Sequence, residues 1–303
     1  MRDVFLIYDE TRLDSVKSTW GTIGQAKYLA ASNCVSLDEY VADSKSVNES
    51  LDVIISVLNS SDDVALHKVK KDLISSVGFA SGGLCIVVGQ DGLVVNVAKY
   101  ARGLPIIGIN SNPERNDGIL VPFTHESFMK DLDRLLNSDF DIVSAPFVSM
   151  KMDDGQAMLA LNEFFVGRHD QKSAEYLIRI GSKKYEHQSS SGVLIAGPVG
   201  ATGWMSSVFN MIAGASNQDV KRWEPEKSQK EMCFAVREPF KSRHSGASMC
   251  LGVLRDGMEI KIESHMPSGG VIFSDGMVND SIPFCSGKAA KFTVSEESAH
   301  LVT

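Results

Sequence analysis

Leu84-Cys85-Ile86-Val87-Val88-Gly89-Gln90-Asp91-Gly92 is the stretch on which the fold turns. Five apolar residues in a row, with no polar alternation, describe a strand buried on both faces, the habit of parallel sheets. Gly89-Gln90-Asp91-Gly92 breaks the run. Leu93, Val94, Val97, Ala98 and Ala101 then recur at helical spacing, and Gly103 is expected to close that helix. Pro105-Ile106-Ile107-Gly108-Ile109 is a second buried strand. Strand, helix and strand in this order form one βαβ unit, which implies a parallel sheet.

Upstream, residues 4–8 read as a short apolar strand, and Leu51, Ile54, Ile55 and Leu58 recur at helical spacing. Downstream the pattern changes. Residues 176–180, 193–196, 233–236, 249–253, 259–262, 271–273 and 291–294 read as short strands. Turn signals such as Asp256-Gly257 and Ser268-Gly269-Gly270 separate them. The polar stretch 218–230 reads as a loop or a frayed helix. The expected fold class is therefore an α/β N-terminal domain with a parallel sheet, followed by an antiparallel, mostly β C-terminal domain. We draw the domains at 1–120, binding a nucleotide, and 121–303, with the C-terminal tail packing back on the first.

The 303 residues suffice for two ordinary domains, and 43% hydrophobic with 22% charged content suits a chain with a real core. A net charge of -8 argues against a general nucleic-acid or membrane binder, which would carry a basic face. It does not exclude a phosphate ligand, because backbone N–H groups at helix starts hold anions without net positive charge. No apolar run is long enough to span a bilayer. The first residues lack the basic region and cleavage site of a signal peptide, so a cytoplasmic location is expected. The five cysteines, Cys34, Cys85, Cys233, Cys250 and Cys285, show no zinc spacing and read as reduced, buried thiols. The seven histidines show no metal spacing either, so no protein metal site is assigned.

Four segments are candidates for chemistry. Gly89-Gln90-Asp91-Gly92 places a glycine-flanked acid at the C-terminal end of a buried parallel strand, where ligands bind in open α/β sheets. Gly89 and Gly92 would let backbone approach a phosphate, and Asp91 could serve as a general base or face a metal. A plain Asp-Gly turn with a helix-start charge is the simpler account. Asn162-Glu163, ahead of Phe164-Phe165-Val166, is weak alone and equally fits a surface turn. In the stretch 192–204 a buried strand runs into Gly197-Pro198-Val199-Gly200-Ala201-Thr202-Gly203-Trp204 and then a helix marked by Met205, Val208, Phe209 and Ile212. That arrangement could cradle a ribose or an anion, with Trp204 stacking on a base, or Trp204 could be a core residue. Phe273-Ser274-Asp275-Gly276 is a strand ending in an acidic turn, and a plain hairpin is the alternative.

Taken together and in order, these segments resemble the NAD kinase family. That family carries a Gly-Gly-Asp-Gly-Thr turn, an Asn-Glu pair, a strand leading to a Thr-Gly-Ser-Thr-Ala-Tyr-like loop, and a late Phe-Asp-Gly. The likeness is greatest to its mitochondrial-type branch and similar bacterial proteins. Supporting pieces are Trp20-Gly21-Thr22, Ser190-Ser191-Gly192 and Arg237-Glu238-Pro239. The resemblance implies transfer of the γ-phosphate of ATP, with Mg2+ or another divalent metal, to the 2′-hydroxyl on the adenosine ribose of NAD. By the same resemblance Asp91 would act as base at the ribose hydroxyl, and Asn162 and Glu163 would hold ribose hydroxyls. Thr202 and Trp204, with Gly203 and Ser207 in the same binding set, would line the adenine and nicotinamide pockets. Asp275 would approach the second subunit's ligand in a homodimer or homotetramer.

The pattern is not intact. Gln90 and Leu93 stand where the family has glycine and threonine, and Val199 and Ala201 replace hydroxyl residues of the later loop. Gln90 would crowd a phosphate and resist a positive φ. Each lost hydrogen bond costs about 1–3 kcal/mol, or roughly 10- to 100-fold in rate. Two further readings therefore stand beside the kinase: a nucleotide-binding homologue without turnover, and a kinase for another hydroxyl substrate.

Overall fold

The computed structural model describes residues 1–32 and 37–303; Cys34 lies outside them. The chain divides into two compact units, Met1–Val143 with His300–Thr303, and Ser144–Ala299.

In the first unit the chain runs through β1 (Arg2–Tyr8), α1 (Arg12–Trp20), α2 (Ile23–Ser32), α3 (Leu37–Asn59), β2 (Val64–Lys70), β3 (Leu84–Gly89), α4 (Asp91–Ala98), β4 (Pro105–Asn110), α5 (His125–Lys130) and α6 (Leu132–Leu136). The strands stand in the order β2-β1-β3-β4, and each of these pairs is parallel. Leu84 to Val88 is buried throughout, as its unbroken apolar run requires. Ile54 and Leu58 of α3 and Phe128 and Leu135 of α5 and α6 close a core around Val4, Leu6, Ile86 and Ile107. Those two short helices carry the first unit to Val143, beyond the boundary drawn at residue 120. The helix expected to reach Gly103 stops at Ala98. Residues 99–103 are turns, ending with Gly103 at φ 76°.

The second unit is antiparallel. It contains β5 (Ile142–Met152, whose first two residues belong to the first unit), β6 (Ala157–Ala160), β7 (Glu163–Arg168), β8 (Ala174–Ile180), β9 (Glu186–Ser190) and β10 (Val193–Ala196). After these come α7 (Trp204–Ser216), β11 (Glu231–Val236), β12 (Leu251–Arg255), β13 (Glu259–Ser264), β14 (Gly270–Ser274), β15 (Ile282–Pro283) and β16 (Ala289–Val302, whose last three residues belong to the first unit). One sheet has the order β12-β11-β10-β7-β14-β15, and another part runs β16-β13-β8-β9. Alternation sets their faces. Phe164 and Val166 of β7 join Ile195, Phe234, Tyr176, Ile178, Ile260 and Phe292 in one core. Their neighbour Phe165 points the other way, with Leu194 and Ala196, onto Met205, Val208 and Phe209 of α7. Asn217 ends α7 in the left-handed region, φ 50°. Residues 218–230 carry no helix or strand.

Cys85 and Cys233 are buried free thiols, and burial pushes each up to about 12. Cys250 and Cys285 are only half-buried, unlike the expectation, because each sits at the margin of a strand rather than inside it.

Candidate functional site

In the first unit the order β2-β1-β3-β4 reverses direction between β1 and β3, and ligands of open α/β sheets bind beyond the strand ends at such a point. A cavity of about 290 Å3 lies there, lined by Thr11 and Arg12 after β1, Lys71 after β2, and Gly89, Gln90, Gly92, Leu93 and Asn96 after β3. A wider depression of about 720 Å3 adjoins it at Asp43 and Ser111, lined by Glu39, Glu114, Arg115 and His125. The smaller one matters more here because the Gly89 turn enters it. Asn96 is 8% exposed, and its Oδ1 has no partner. Thr11 caps α1 in a reciprocal pair with Asp14. Lys71 is 2.8 Å from Asp9.

Asp91 is the first residue of α4, and its carboxylate faces the segment after β4. Oδ1 accepts the N–H of Leu120 at 2.8 Å, and Oδ2 that of Ile119 at 3.1 Å. The segment itself is laced along β4: the Asn110 N–H donates to Phe123 O at 2.7 Å, and the Phe123 N–H to Gly108 O at 3.2 Å. Gly108 permits this, since a Cβ there would stand 2.1 Å from Leu120 O. Gln90 has φ -112° and ψ 166°, an extended helix-capping conformation open to any residue. The expected conflict with a positive φ does not arise, because the helix begins one residue later. Leu93 is buried, and its Cδ2 would lie 3.1 Å from a Cβ on Gly89. Apolar bulk therefore fills the floor under the turn.

The other segments meet in the second unit. Glu163 opens β7 and is 8% exposed. Its Oε2 is buried without a hydrogen-bond partner. Burial pushes Glu163 up to about 7, the Asp275 charge pushes the same way, and the backbone N–H of Trp204 facing the carboxylate pulls it down. The loop from β10 lies directly on the pair. The Gly197 N–H donates to Asn162 O at 2.9 Å, and a Cβ on Gly200 would stand 2.1 Å from the same oxygen. A Cβ on Gly203 would come to 3.4 Å from Glu163 Oε2. Thr202 and Ser207 are exposed at the start of α7, and the Thr202 hydroxyl donates to Val199 O at 3.3 Å. Asp275, at φ 54°, accepts the N–H of Asn162 at 2.8 Å, with Leu161 and Glu163 at 3.2 and 3.3 Å.

Trp204 is half-buried and stacks on Phe165, centroids 5.7 Å apart and planes 13° apart. The Arg237 guanidinium lies 5.1 Å from the Trp204 ring. Phe165 was not singled out from the sequence. Its signal was the Phe164-Phe165 doublet, which in a strand must send one ring to each face. Arg237 was read only as part of a supporting motif. Asp91, Gly89 and Gly92 thus share one cluster in the first unit. Asn162, Glu163, Thr202, Gly203, Trp204, Ser207 and Asp275 fall around one loop and helix start in the second. Among the described residues no three His, Cys, Asp or Glu side chains gather as a metal site.

Comparison with known proteins gives this arrangement relatives. Over 222 residues the chain is 24% identical to a probable NADH kinase of Oryza sativa subsp. japonica, covering 66% of this chain and 65% of that one. It is 28% identical over 131 residues to the NAD kinase of Delftia acidovorans, 41% of this chain and 43% of that one. Its fold is similar to that of an NAD kinase from Archaeoglobus fulgidus, solved in complex with ATP, with a TM-score of 0.61 at 18% identity over 99% of this chain and 93% of that chain. The chain is similar to NAD kinases, in sequence over part of its length and in fold over nearly all of it. It spans less than two thirds of the length of the curated relatives it matches. No family model matches it. Of the motif residues named from the sequence, Asp91, Asn162, Glu163, Thr202 and Asp275 keep the types that the NAD kinase pattern carries, whereas Gln90, Leu93, Ser191, Val199 and Ala201 are among those that depart from it.

Proposed function

We propose that the chain transfers the γ-phosphate of ATP to the 2′-hydroxyl on the adenosine ribose of NAD or NADH, forming NADP or NADPH. The observation that carries this reading is the buried Glu163 carboxylate, with one oxygen unpartnered, beside Asn162 and the half-buried Trp204 ring. A carboxylate oxygen held out of water accepts strongly from a ligand hydroxyl, and an aromatic face takes a base. The retained motif order and the kinase relatives support the same assignment. In this reading Asn162 and Glu163 hold ribose hydroxyls, Trp204 with Thr202, Gly203 and Ser207 lines the base pockets, and the cavity at Gly89 and Gly92 receives phosphates.

A ribose hydroxyl is a poor nucleophile near neutrality, so it needs an adjacent carboxylate to accept its proton, and Asp91 is assigned that part. The rest of phosphoryl transfer is alignment and charge neutralisation. Mg2+ keeps most of its shell as water and phosphate and takes only one or two protein carboxylates. A metal that arrives with the nucleotide would meet Asp9, Glu10 and Asp43, acids that line the cavity. When bound, it would neutralise phosphate charge. The same reading implies a cytoplasmic homodimer or homotetramer. Among the described residues no helix is long and apolar enough to cross a membrane.

The test is incubation with ATP, Mg2+ and NAD or NADH, following NADP or NADPH with a specific dehydrogenase. Product above that of Asp91→Asn is expected; none would defeat the reading. One observation favours a second reading, nucleotide binding without transfer: Leu93 puts buried apolar bulk where the family has a hydroxyl. It predicts saturable binding by calorimetry with no product.

A further inference from the structure

The Asp275 carboxylate faces the backbone of residues 161–163. Asp275 follows β14 in the left-handed region, φ 54°, a conformation a non-glycine residue holds only when its surroundings compensate. The compensation is visible. Asn162 N–H donates to Oδ1 at 2.8 Å, Glu163 N–H to the same oxygen at 3.3 Å, and Leu161 N–H to Oδ2 at 3.2 Å. In return the Asp275 N–H donates to Glu163 O at 2.9 Å. Three consecutive backbone donors thus converge on one carboxylate, which acts on the start of β7 as an anion does on a nest of N–H groups. The opposite side of the same segment is fixed by Gly197, whose N–H donates to Asn162 O at 2.9 Å. The two residues whose side chains face the loop at Gly200 to Trp204 are therefore held from both sides through their backbone.

We propose that Asp275 is a positioning residue, which sets Asn162 and Glu163 for the ligand from behind rather than touching the ligand itself. This rests on the reading that Asn162 and Glu163 hold the ribose. A second consequence is electrostatic. Asp275 places a negative charge beside a buried carboxylate and so favours retention of a proton on Glu163. The groups facing Glu163 are Asp275 from the turn after β14, the backbone N–H of Trp204 at the start of α7, and, one ring further out, Arg237 at the end of β11. The two acids work against each other, and the N–H favours the ionised form.

The experiment uses the full chain and two variants, Asp275→Ala and Asp275→Asn. In ligand-free protein the Glu163 carboxyl is titrated by carbon-13 NMR; in parallel, NAD binding is measured by calorimetry. Asp275→Asn keeps an acceptor oxygen and loses the charge, so the Glu163 midpoint falls while NAD affinity stays within about threefold of wild type. Asp275→Ala loses both, and the NAD dissociation constant rises by roughly tenfold or more. A Glu163 midpoint unmoved in Asp275→Asn, or wild-type affinity in a folded Asp275→Ala, overturns the proposal. Loss of affinity as great in Asp275→Asn as in Asp275→Ala, with fold retained, also overturns it, because the ligand would then need the charge directly. Should the wild type bind no NAD, the proposed function fails, and the Glu163 titration still tests the positioning role. Should Asp275→Ala not fold, the asparagine variant alone decides.

Discussion

The Asp91 carboxylate accepts the backbone N–H of Leu120 at 2.8 Å, tying the first residue of α4 to the segment that follows β4. The residue assigned as base is thus also a structural anchor, because Ile119 donates to its other oxygen. Asp91→Ala leaves two backbone donors without their acceptor and is expected to cost about 1–3 kcal/mol of stability. Asp91→Asn keeps one acceptor oxygen and should cost less. Urea unfolding of both variants checks this. Equal stability of the alanine variant and the wild type would show that the two bonds contribute nothing.

Glu163 makes stability depend on pH in an unusual direction for a carboxylate. Its folded value is raised from 4.5 to about 7, so the folded chain holds this proton across a window in which the unfolded chain releases it. Stability from this group is full below about pH 4.5, falls as pH rises, and levels off above about 7. The span amounts to about 3 kcal/mol as an upper figure. Glu163→Gln removes the ionisation. Its melting temperature should exceed that of wild type at pH 8 and the gap should close toward pH 5, read by thermal scans across that range. NAD affinity should fall in the same variant.

Gly200 and Gly92 are predicted to respond oppositely to alanine. At Gly200 the new Cβ would stand 2.1 Å from Asn162 O, a backbone atom that cannot step aside. A loss of about 2–3 kcal/mol is expected. At Gly92, inside α4, a Cβ meets nothing within 4 Å. Alanine there should stabilise by about 0.5–1 kcal/mol. If Gly92 serves phosphate approach, Gly92→Ala is at once more stable and weaker for ATP, a combination that packing alone does not produce. Denaturation and ATP calorimetry on the two variants separate the cases.

Leu93→Thr introduces the hydroxyl that the NAD kinase pattern carries at this turn and removes buried apolar volume. A stability loss of about 1–3 kcal/mol accompanies the change. If the missing hydroxyl limits transfer, NADP formation should rise by roughly tenfold, the worth of one recovered hydrogen bond. Gln90→Gly is the milder partner. Position 90 caps the helix at φ -112°, where glycine is accepted at a few tenths of a kcal/mol. A kinase assay with both variants reports whether this turn limits the rate.

What the sequence settled by itself is local and periodic. The unbroken run 84–88, the helical spacing after Asp91 and the buried strand 105–109 could only be satisfied by a parallel βαβ unit, and the structure has it. Alternating runs such as 259–262 announced the antiparallel part, because burial on one face leaves its period in the chain. β9 left no such trace. Its residues Glu186 to Ser190 are polar, and Gln188 and Ser190 are buried beside the Tyr176 hydroxyl, twelve and fourteen residues away, which bonds to both. β5 was hidden by Pro146 in its midst. The candidate residues were legible as an ordered set of motifs, yet what each carboxylate faces was not. Asp91 turns to Leu120, Asp275 to Asn162 and Glu163 toward Trp204, contacts made across 29 to 113 residues of chain. Hydrogen bonds of that reach depend on how strands are ordered side by side, and the order of strands is a property of the packed sheet rather than of any segment in it.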